Sequence, residues 1–331
     1  MSKLDISVVI PLYNEEESLP ELVEWIKKVM DTHGYTYEII MVNDGSTDRS
    51  WEIINQLAKE NQHIKGLSFL RNYGKSAALN VGFREATGTV VITMDADLQD
   101  SPDEIPGLFK MIVEEGYDLV SGWKKKRYDP ITKTIPSKLF NYTTRVMSGI
   151  KLHDFNCGLK AYKNKVVKTV EVNGEMHRYI PVIAKWEGFR KIGEKTVQHR
   201  ARKYGMTKFG LERFIYGFLD LLSISFVTRF RKKPMHFFGT LGSLSFLAGF
   251  IMALYLIGEK LYYIHVLNQL PRRDIVEQPL FFLALVALIV GAQLFLAGFM
   301  AEMTSLNHPN RNDYHIEDRC GRAQTPELER T

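Results

Sequence analysis

The chain has 331 residues, 45% of them hydrophobic and 24% charged, with a formal net charge of +5. This length is ample for one large domain with an appendage. With two cysteines, Cys157 and Cys320, the chain has neither a disulfide framework nor a cysteine-based metal site. No nucleic-acid partner is expected, and the N-terminus shows no signal-peptide pattern.

Strands and helices alternate along the first hundred residues. Apolar runs predict strands at 6–10, 38–43, 64–70 and 90–94, and helical spacing predicts helices through 19–29, 51–58 and 77–86. This alternation predicts a mostly parallel sheet with helices on both faces and ligands at the carboxyl ends of the strands. The side chains that fall at those ends are Tyr13, Asp44, Arg71 and Asp95.

The fourth strand runs into a group of carboxylates. Asp95 and Asp97 stand two residues apart at its end, followed by Gln99. Two carboxylates at such spacing repel each other unless a cation lies between them, and their hard oxygen atoms suit Mg²⁺ or Mn²⁺. The alternative for an isolated Asp-x-Asp is a solvated acidic turn or a helix N-terminus, and the motifs farther along the chain argue against it.

Two other nucleotide-site motifs are excluded. No Gly-x-Gly-x-x-Gly follows the first strand, and this argues against a dinucleotide-dependent dehydrogenase. Gly74-Lys75-Ser76 is similar to the end of a P-loop, but Phe69 stands where that motif requires glycine. We therefore interpret this similarity as accidental.

The apolar residues are concentrated in the C-terminal third. The runs 235–257 and 279–303 are each long enough to cross a bilayer, and a basic cluster at 229–233 precedes the first run. The positive-inside rule then predicts that the N-terminal domain lies in the cytoplasm. We expect the protein itself to be a multi-pass protein of the inner (plasma) membrane. We expect amphipathic interface helices near 136–150 and at 209–233, and a polar, largely disordered cytoplasmic tail at 305–331.

Five stretches together resemble the family 2 glycosyltransferases with the GT-A fold, and within them the polyprenyl-phosphate hexosyltransferases. These stretches are Val8 to Glu15, Val42 to Asp48, Asp95 to Asp100, Asp154 to Leu159 and Arg202 to Lys208. The resemblance implies a catalytic domain at 1–208, followed by the interface segment at 209–233, two membrane helices within 234–304 and the tail.

The resemblance also implies a role for each motif. The donor nucleotide would be bound by Pro11, Tyr13, Glu15, Asp44 and Asp95, and the metal by Asp95, Asp97 and Gln99, with Asp97 catalytic. The donor diphosphate would be bound by Arg202 and Lys208, and the acceptor phosphate by Arg127, Ser137 and Lys124. Lys124 stands where the family pattern leads us to expect arginine, so the charge is kept but the bidentate fork is lost. Asp44 could also cap the helix that follows Asp44-Gly45-Ser46-Thr47.

Asp154 occupies the acidic position that an inverting glycosyltransferase would use as a general base. A phosphate acceptor, however, has a second pKa of ~6 and is already anionic at neutral pH. We therefore expect Asp154 to position the acceptor or the sugar, with proton abstraction as the alternative.

The implied function is transfer of a hexose, with inversion, from a nucleotide sugar to a polyprenyl (undecaprenyl) phosphate at the cytoplasmic membrane face. UDP-glucose is the favoured donor, with GDP-mannose as an alternative. Two other interpretations stay open: a processive polysaccharide synthase and an inactive scaffold with the same fold. The sequence around Trp186 lacks the Gln-x-x-Arg-Trp motif of the synthases. The oligomeric state is open, a homo-oligomer included.

Overall fold

The structure is a computed structural model that describes residues 4–125, 131–172, 174, 176–200, 234–268, 273–306 and 316–321. The chain divides into two compact units. One unit comprises Met1–Leu222 and Asn312–Thr331, and the other comprises Ser223–Arg311.

The first unit is built on an eight-stranded sheet with the order β7-β5-β6-β4-β1-β2-β3-β8. The strands are β1 (Ile6–Leu12), β2 (Tyr37–Asn43), β3 (Ile64–Phe69), β4 (Val90–Thr93), β5 (Leu119–Trp123), β6 (Lys160–Lys163), β7 (Ile192–Thr196) and β8 (Ile316–Gly321). Neighbouring strands are parallel except that β6 runs antiparallel to β4 and β5, and β8 antiparallel to β3. The predicted mostly parallel sheet and its four predicted strands are confirmed.

Helices cover both faces of this sheet. They are α1 (Leu19–His33), α2 (Ser50–Glu60), α3 (Lys75–Glu85), α4 (Ile105–Val113), α5 (Ile131–Ser148), α6 (Asn164–Thr169) and α7 (Ile180–Trp186). Along β1, Val8 and Ile10 pack into one buried cluster with α1, whereas Val9 packs into a second cluster with α3. Because side chains alternate between the faces of a strand, a continuous apolar run of this kind indicates burial on both faces.

The C-terminal tail departs from expectation. The prediction of a largely disordered tail is wrong for Ile316–Gly321, which form β8 and pair with β3 from Lys65↔Gly321 to Phe69↔Ile316. Without β8, the outer edge of β3 would present unpaired N–H and C=O groups, and an added strand satisfies them. Strand pairing uses backbone groups that every residue carries, and the polar tail has no long apolar run that would predict a strand.

The second unit consists of α8 (Pro234–His265) and α9 (Pro279–Leu306). Within them, Phe237–His265 and Pro279–Ala301 are long and apolar enough to cross a membrane, which confirms the two predicted apolar helices. Glycines allow the pair to pack closely. A Cβ atom at Gly249 would lie 2.8 Å from the carbonyl oxygen of Ala284, and one at Gly291 would lie 2.6 Å from the amide nitrogen of Phe246. Small residues at a helix interface permit such close backbone approach.

Candidate active site

Adjacent parallel strands bring the predicted donor site to one edge of the sheet. In the register, Leu12 is opposite Asn43, and Val9 is opposite Thr93. The residues that follow these strands, among them Tyr13, Asp44 and Asp95, therefore lie at the same carboxyl edge, as predicted. Pro11 is buried within β1, whereas Tyr13 is 38% exposed and presents its ring at this edge.

The loops after β1 and β2 are tied together by hydrogen bonds. The Asn14 side chain accepts a hydrogen bond from the Thr47 amide at 2.8 Å, and the Asn14 amide donates to Ser46 Oγ at 2.9 Å. The Glu15 amide donates to Ser50 Oγ at 3.0 Å. Asn14 has a φ of 56°, a left-handed conformation that asparagine tolerates. These bonds give the predicted nucleotide loops a fixed relation to each other.

Asp44 fixes the start of α3. Its carboxylate accepts hydrogen bonds from the amides of Tyr73 at 2.7 Å and Gly74 at 2.9 Å. Burial raises the pKa of Asp44, and these two amide donors oppose that shift. Because α2 begins only at Ser50, the interpretation of Asp44 as a cap for that helix is wrong. The carboxylate instead holds the loop that leads into Lys75.

Lys75, the first residue of α3, forms an ion pair with the Asp95 carboxylate. Burial raises the pKa of Asp95, but the positive charges of Lys75, Lys124 and Lys160 together outweigh burial, so the pKa lies below its usual value. The pKa of Asp97 is raised by burial and by the negative charge of Asp95. The Asp97 carboxylate accepts a hydrogen bond from the Gln99 amide at 3.2 Å. Two carboxylates with opposed pKa shifts therefore stand side by side at the edge of the sheet.

These residues fit a divalent cation by their chemistry. Asp95 and Asp97 supply hard oxygen donors, the Gln99 side chain supplies an amide oxygen, and the repulsion that raises the Asp97 pKa is what a bound cation would relieve. Across the described ranges, no group of three or more His, Cys, Asp or Glu side chains is placed to hold a metal. The amide and any oxygen atoms of a bound substrate would complete such a site.

Gly158 lies directly beside the Asp95 carboxylate. Its carbonyl oxygen accepts a hydrogen bond from Thr93 Oγ1 at 2.8 Å, which holds the loop against β4. A Cβ atom at this position would lie 2.5 Å from the Asp95 carboxylate. Only glycine leaves room for that carboxylate where it now lies.

Replacing Gly158 by alanine is expected to displace the Asp95 carboxylate while the sheet stays folded. Misplacing a reacting group by about 1 Å can cost roughly 10²-fold in rate, so we expect a loss of that size in turnover with a small change in unfolding temperature. Gly258→Ala is the control, because nothing lies within 4 Å of an added Cβ atom there. Unchanged turnover in Gly158→Ala would show that the Asp95 position is not critical.

Asp154 lies in the loop that connects α5 to β6, and this loop is hydrogen-bonded to both β5 and α5. Its carboxylate accepts a hydrogen bond from the Asn156 amide at 3.0 Å, and its carbonyl oxygen accepts one from Ser121 Oγ at 3.1 Å. The next amide, that of Phe155, donates to the Asn141 side chain at 3.2 Å. The Asp154 residue is only 1% exposed. This loop is held in place by hydrogen bonds from both sides.

The remaining predicted residues are placed less completely. Arg127, Arg202 and Lys208 lie outside the described residues. Ser137 belongs to α5, and Lys124 directly follows β5, where its ammonium group forms a 2.8 Å ion pair with the buried Asp100. The structure thus gives Lys124 a carboxylate partner that the sequence pattern did not predict.

Sequence reasoning missed two features of this site. Lys75 falls within the accidental P-loop similarity, although a lysine at the start of a helix that follows a strand is itself a signal for an anion partner. Next to it, Ser76 Oγ accepts a hydrogen bond from the His177 amide at 3.0 Å and lies 3.2 Å from His177 Nδ1. The separation of 101 residues between Ser76 and His177 left no local pattern that could have revealed the pair.

Comparison with known proteins identifies the family. The sequence profile described as glycosyl transferase family 2 matches residues 7–171. Dodecaprenyl-phosphate galacturonate synthase from Rhizobium johnstonii is 37% identical over 309 residues, which cover 92% of this chain and 88% of that protein. The chain belongs to glycosyl transferase family 2. A second relative, undecaprenyl-phosphate 4-deoxy-4-formamido-L-arabinose transferase from Pectobacterium carotovorum, is 36% identical over 90% of this chain and 87% of its own length.

The solved structures agree in fold. Glucosyl-3-phosphoglycerate synthase from Mycobacterium tuberculosis, crystallised with Mn²⁺, UDP-glucose and phosphoglyceric acid, superimposes with a TM-score of 0.53 at 19% identity, covering 68% of this glycosyltransferase and 79% of that chain. The predicted GT-A fold is thereby confirmed. Membership of the family identifies the protein as a glycosyltransferase and argues against the inactive scaffold.

Proposed function

We propose that this glycosyltransferase moves a single sugar from a nucleotide sugar to a polyprenyl phosphate at the cytoplasmic face of the inner membrane. The observation that carries the proposal is the similarity, along nine-tenths of the chain, to relatives whose names specify dodecaprenyl and undecaprenyl phosphate acceptors. Similarity of that extent covers the apolar helices as well as the catalytic domain.

The residues at the carboxyl edge of the sheet support binding of a nucleotide-sugar donor. The loops after β1 and β2 and the exposed Tyr13 ring supply a surface for a nucleoside, and Asp95, Asp97 and Gln99 would hold Mg²⁺ or Mn²⁺. When bound, such an ion would stabilise the negative charge of the departing nucleoside diphosphate. Lys75 supplies a further positive charge beside Asp95.

The acceptor half is supported by exposed apolar surface on α5. Tyr142 and Val146 are 65% and 64% exposed, whereas Asn141 and Thr144 on the same helix are buried. A helix that turns apolar side chains outward suits a lipid interface. The segment 209–233 is also predicted to lie at the interface, and it falls outside the described residues.

The membrane topology follows from the chain path. β7 precedes the apolar helices and β8 follows them, and both strands belong to the same sheet. Because the segments before and after the two apolar helices end in one sheet, this chain path supports a proposal in which α8 and α9 cross the membrane twice. The basic cluster at 229–233 favours the cytoplasm as that side.

The structure favours positioning over proton abstraction for Asp154. The Asp154 carboxylate is 1% exposed and accepts the Asn156 amide hydrogen bond, which supports a role in holding this loop in place. No proton has to be removed from the acceptor phosphate, because it is already an anion at neutral pH. In this mechanism, cations attract and orient the phosphate oxygen that attacks the anomeric carbon, opposite to the leaving diphosphate, which inverts the configuration.

Asp154→Asn should consequently retain measurable turnover, because it keeps the shape and hydrogen-bonding capacity of the side chain. Arg127→Ala should instead raise the acceptor KM with donor binding nearly unchanged. Initial rates at varied acceptor concentration separate these two effects. A fall of roughly 10²- to 10⁴-fold in Asp154→Asn, the loss typical of a missing general base, with both substrate affinities intact would overturn the positioning role.

The identity of the sugar is a separate matter. Our prediction of UDP-glucose has no support from the relatives, whose names specify galacturonate and 4-deoxy-4-formamido-L-arabinose. The functional test therefore uses a panel of radiolabelled nucleotide sugars that includes UDP-glucose, GDP-mannose and UDP-galacturonate. The full-length enzyme with Mn²⁺ should move label into the organic phase only when polyprenyl phosphate is present. Label that never leaves the aqueous phase with any donor would refute the proposal for these donors.

A further inference from the structure

Asp100 carries a charge in the interior of the catalytic domain. The residue is 0% exposed, and its carboxylate lies 2.8 Å from the Lys124 ammonium group, whose side chain is 13% exposed. Asp100 belongs to the loop that follows β4 and carries Asp97, whereas Lys124 directly follows β5. The ion pair therefore joins two segments that are far apart in the sequence.

A third segment meets the same point. The backbone of Asp100 forms an antiparallel bridge with His199, and the Arg200 amide donates a hydrogen bond to the Gln99 carbonyl oxygen at 2.9 Å. Backbone contacts thus hold residues 199 and 200 against the loop that carries Asp97 and Gln99. Three segments therefore meet at Asp100, two through the backbone and one through the ion pair.

Each segment has a predicted substrate residue three positions from this junction. Asp97 precedes Asp100 by three residues, Arg127 follows Lys124 by three, and Arg202 follows His199 by three. These residues are assigned to the metal, the acceptor phosphate and the donor diphosphate, respectively. In the sequence, the junction is thus close to a residue assigned to each of the three roles.

We propose that the Asp100–Lys124 ion pair is a positioning element that aligns the acceptor segment with the donor site, and that Lys124 acts through Asp100 without binding the acceptor phosphate. This inference rests on the proposed function and replaces the predicted acceptor role of Lys124. Moving the Lys124 ammonium group to a substrate phosphate would leave the Asp100 charge buried without its partner. An uncompensated buried charge is strongly unfavourable.

The test is a double-mutant cycle with Asp100→Asn, Lys124→Met and the double variant in the full-length enzyme. Each single variant leaves one buried charge unpaired, so we expect each to lower the unfolding temperature, and the double variant to recover most of that loss. The double variant should keep an acceptor KM within about threefold of wild type, while kcat falls by roughly 10-fold or more because the segments are no longer aligned. Lys124→Arg, which keeps the charge, should retain most of the turnover.

Two results would overturn the positioning role. One is a double variant whose acceptor KM rises at least 10-fold with kcat unchanged, which is the behaviour of a lost phosphate ligand. The other is strictly additive losses of unfolding temperature, which would show that the two charges do not depend on each other. If the single variants fail to fold, the double variant and Lys124→Arg still give the acceptor KM and kcat, which decide between the two roles. Failure of the proposed function is distinguishable, because the wild-type enzyme would then transfer no sugar while the unfolding temperatures could still be compared.

Discussion

Asp97→Ala is expected to lower the rate of sugar transfer by roughly 10²- to 10³-fold, because that is the typical cost of losing one group that stabilises a developing charge. Asp97 is one of two carboxylates that would hold the cation, and the rest of the site cannot replace it. The side chain lies beyond the end of β4 and accepts only the local Gln99 amide hydrogen bond among the bonds described, so the sheet should stay folded. Initial rates at saturating Mn²⁺, together with the unfolding temperature, measure both effects.

Asp31→Ala is the matched control for this variant. Asp31 is an exposed carboxylate in the last turn of α1, just before β2 begins, and so lies at the opposite edge of the sheet from the site. Its removal should leave the rate within about twofold, since surface substitutions away from structural features have small effects. Full activity of Asp97→Ala, or of the wild-type enzyme in excess chelator, would contradict the metal role.

Arg202→Ala is expected to produce the second-largest loss. Arg202 is predicted to bind the donor diphosphate, and a guanidinium group that contacts a phosphate in a charge-assisted, bidentate manner is worth more than a neutral hydrogen bond. We expect kcat/KM for the donor to fall by about 10²-fold, in line with the removal of one such group from a transition state. Varying the donor at saturating acceptor gives this number directly.

Arg200 provides a control two residues away. Its guanidinium group lies over the Trp25 ring at 4.1 Å from the centroid, so the side chain already has an aromatic partner within the protein. Arg200→Ala should therefore alter stability slightly and leave donor kcat/KM within a few-fold of wild type. Equal losses in the two variants would mean that the effect comes from general positive charge and not from a specific diphosphate contact.

The edge of the sheet could be predicted because its signals are local. The apolar runs of β1, β2 and β4 each end in a polar residue, and parallel strands necessarily bring such ends together. Asp95 and Asp97 could therefore be assigned to this edge from the residues alone. The two apolar helices could also be predicted from the sequence, because an apolar run of that length has few interpretations other than a membrane span.

The rest depended on contacts between distant parts of the chain. Nothing in the short run Lys160–Lys163 shows that β6 inserts antiparallel between β4 and β5, because strand direction is set by the connections and not by the residues of the strand. The pairing of Lys124 with Asp100 was missed for a related reason. A lysine that follows a strand could bind a substrate or pair with a buried carboxylate. Only the folded structure shows that Lys124 pairs with Asp100.

The most direct test of the central claim is mass spectrometry of the lipid product. The full-length enzyme is incubated with Mn²⁺, polyprenyl phosphate and the nucleotide sugar that labels the organic phase, with Asp97→Ala run in parallel. We predict a product heavier than the acceptor by one sugar residue, formed by the wild-type enzyme and absent from the variant. A ladder of products with several sugars would identify a processive synthase, and an acceptor of unchanged mass would contradict transfer to polyprenyl phosphate.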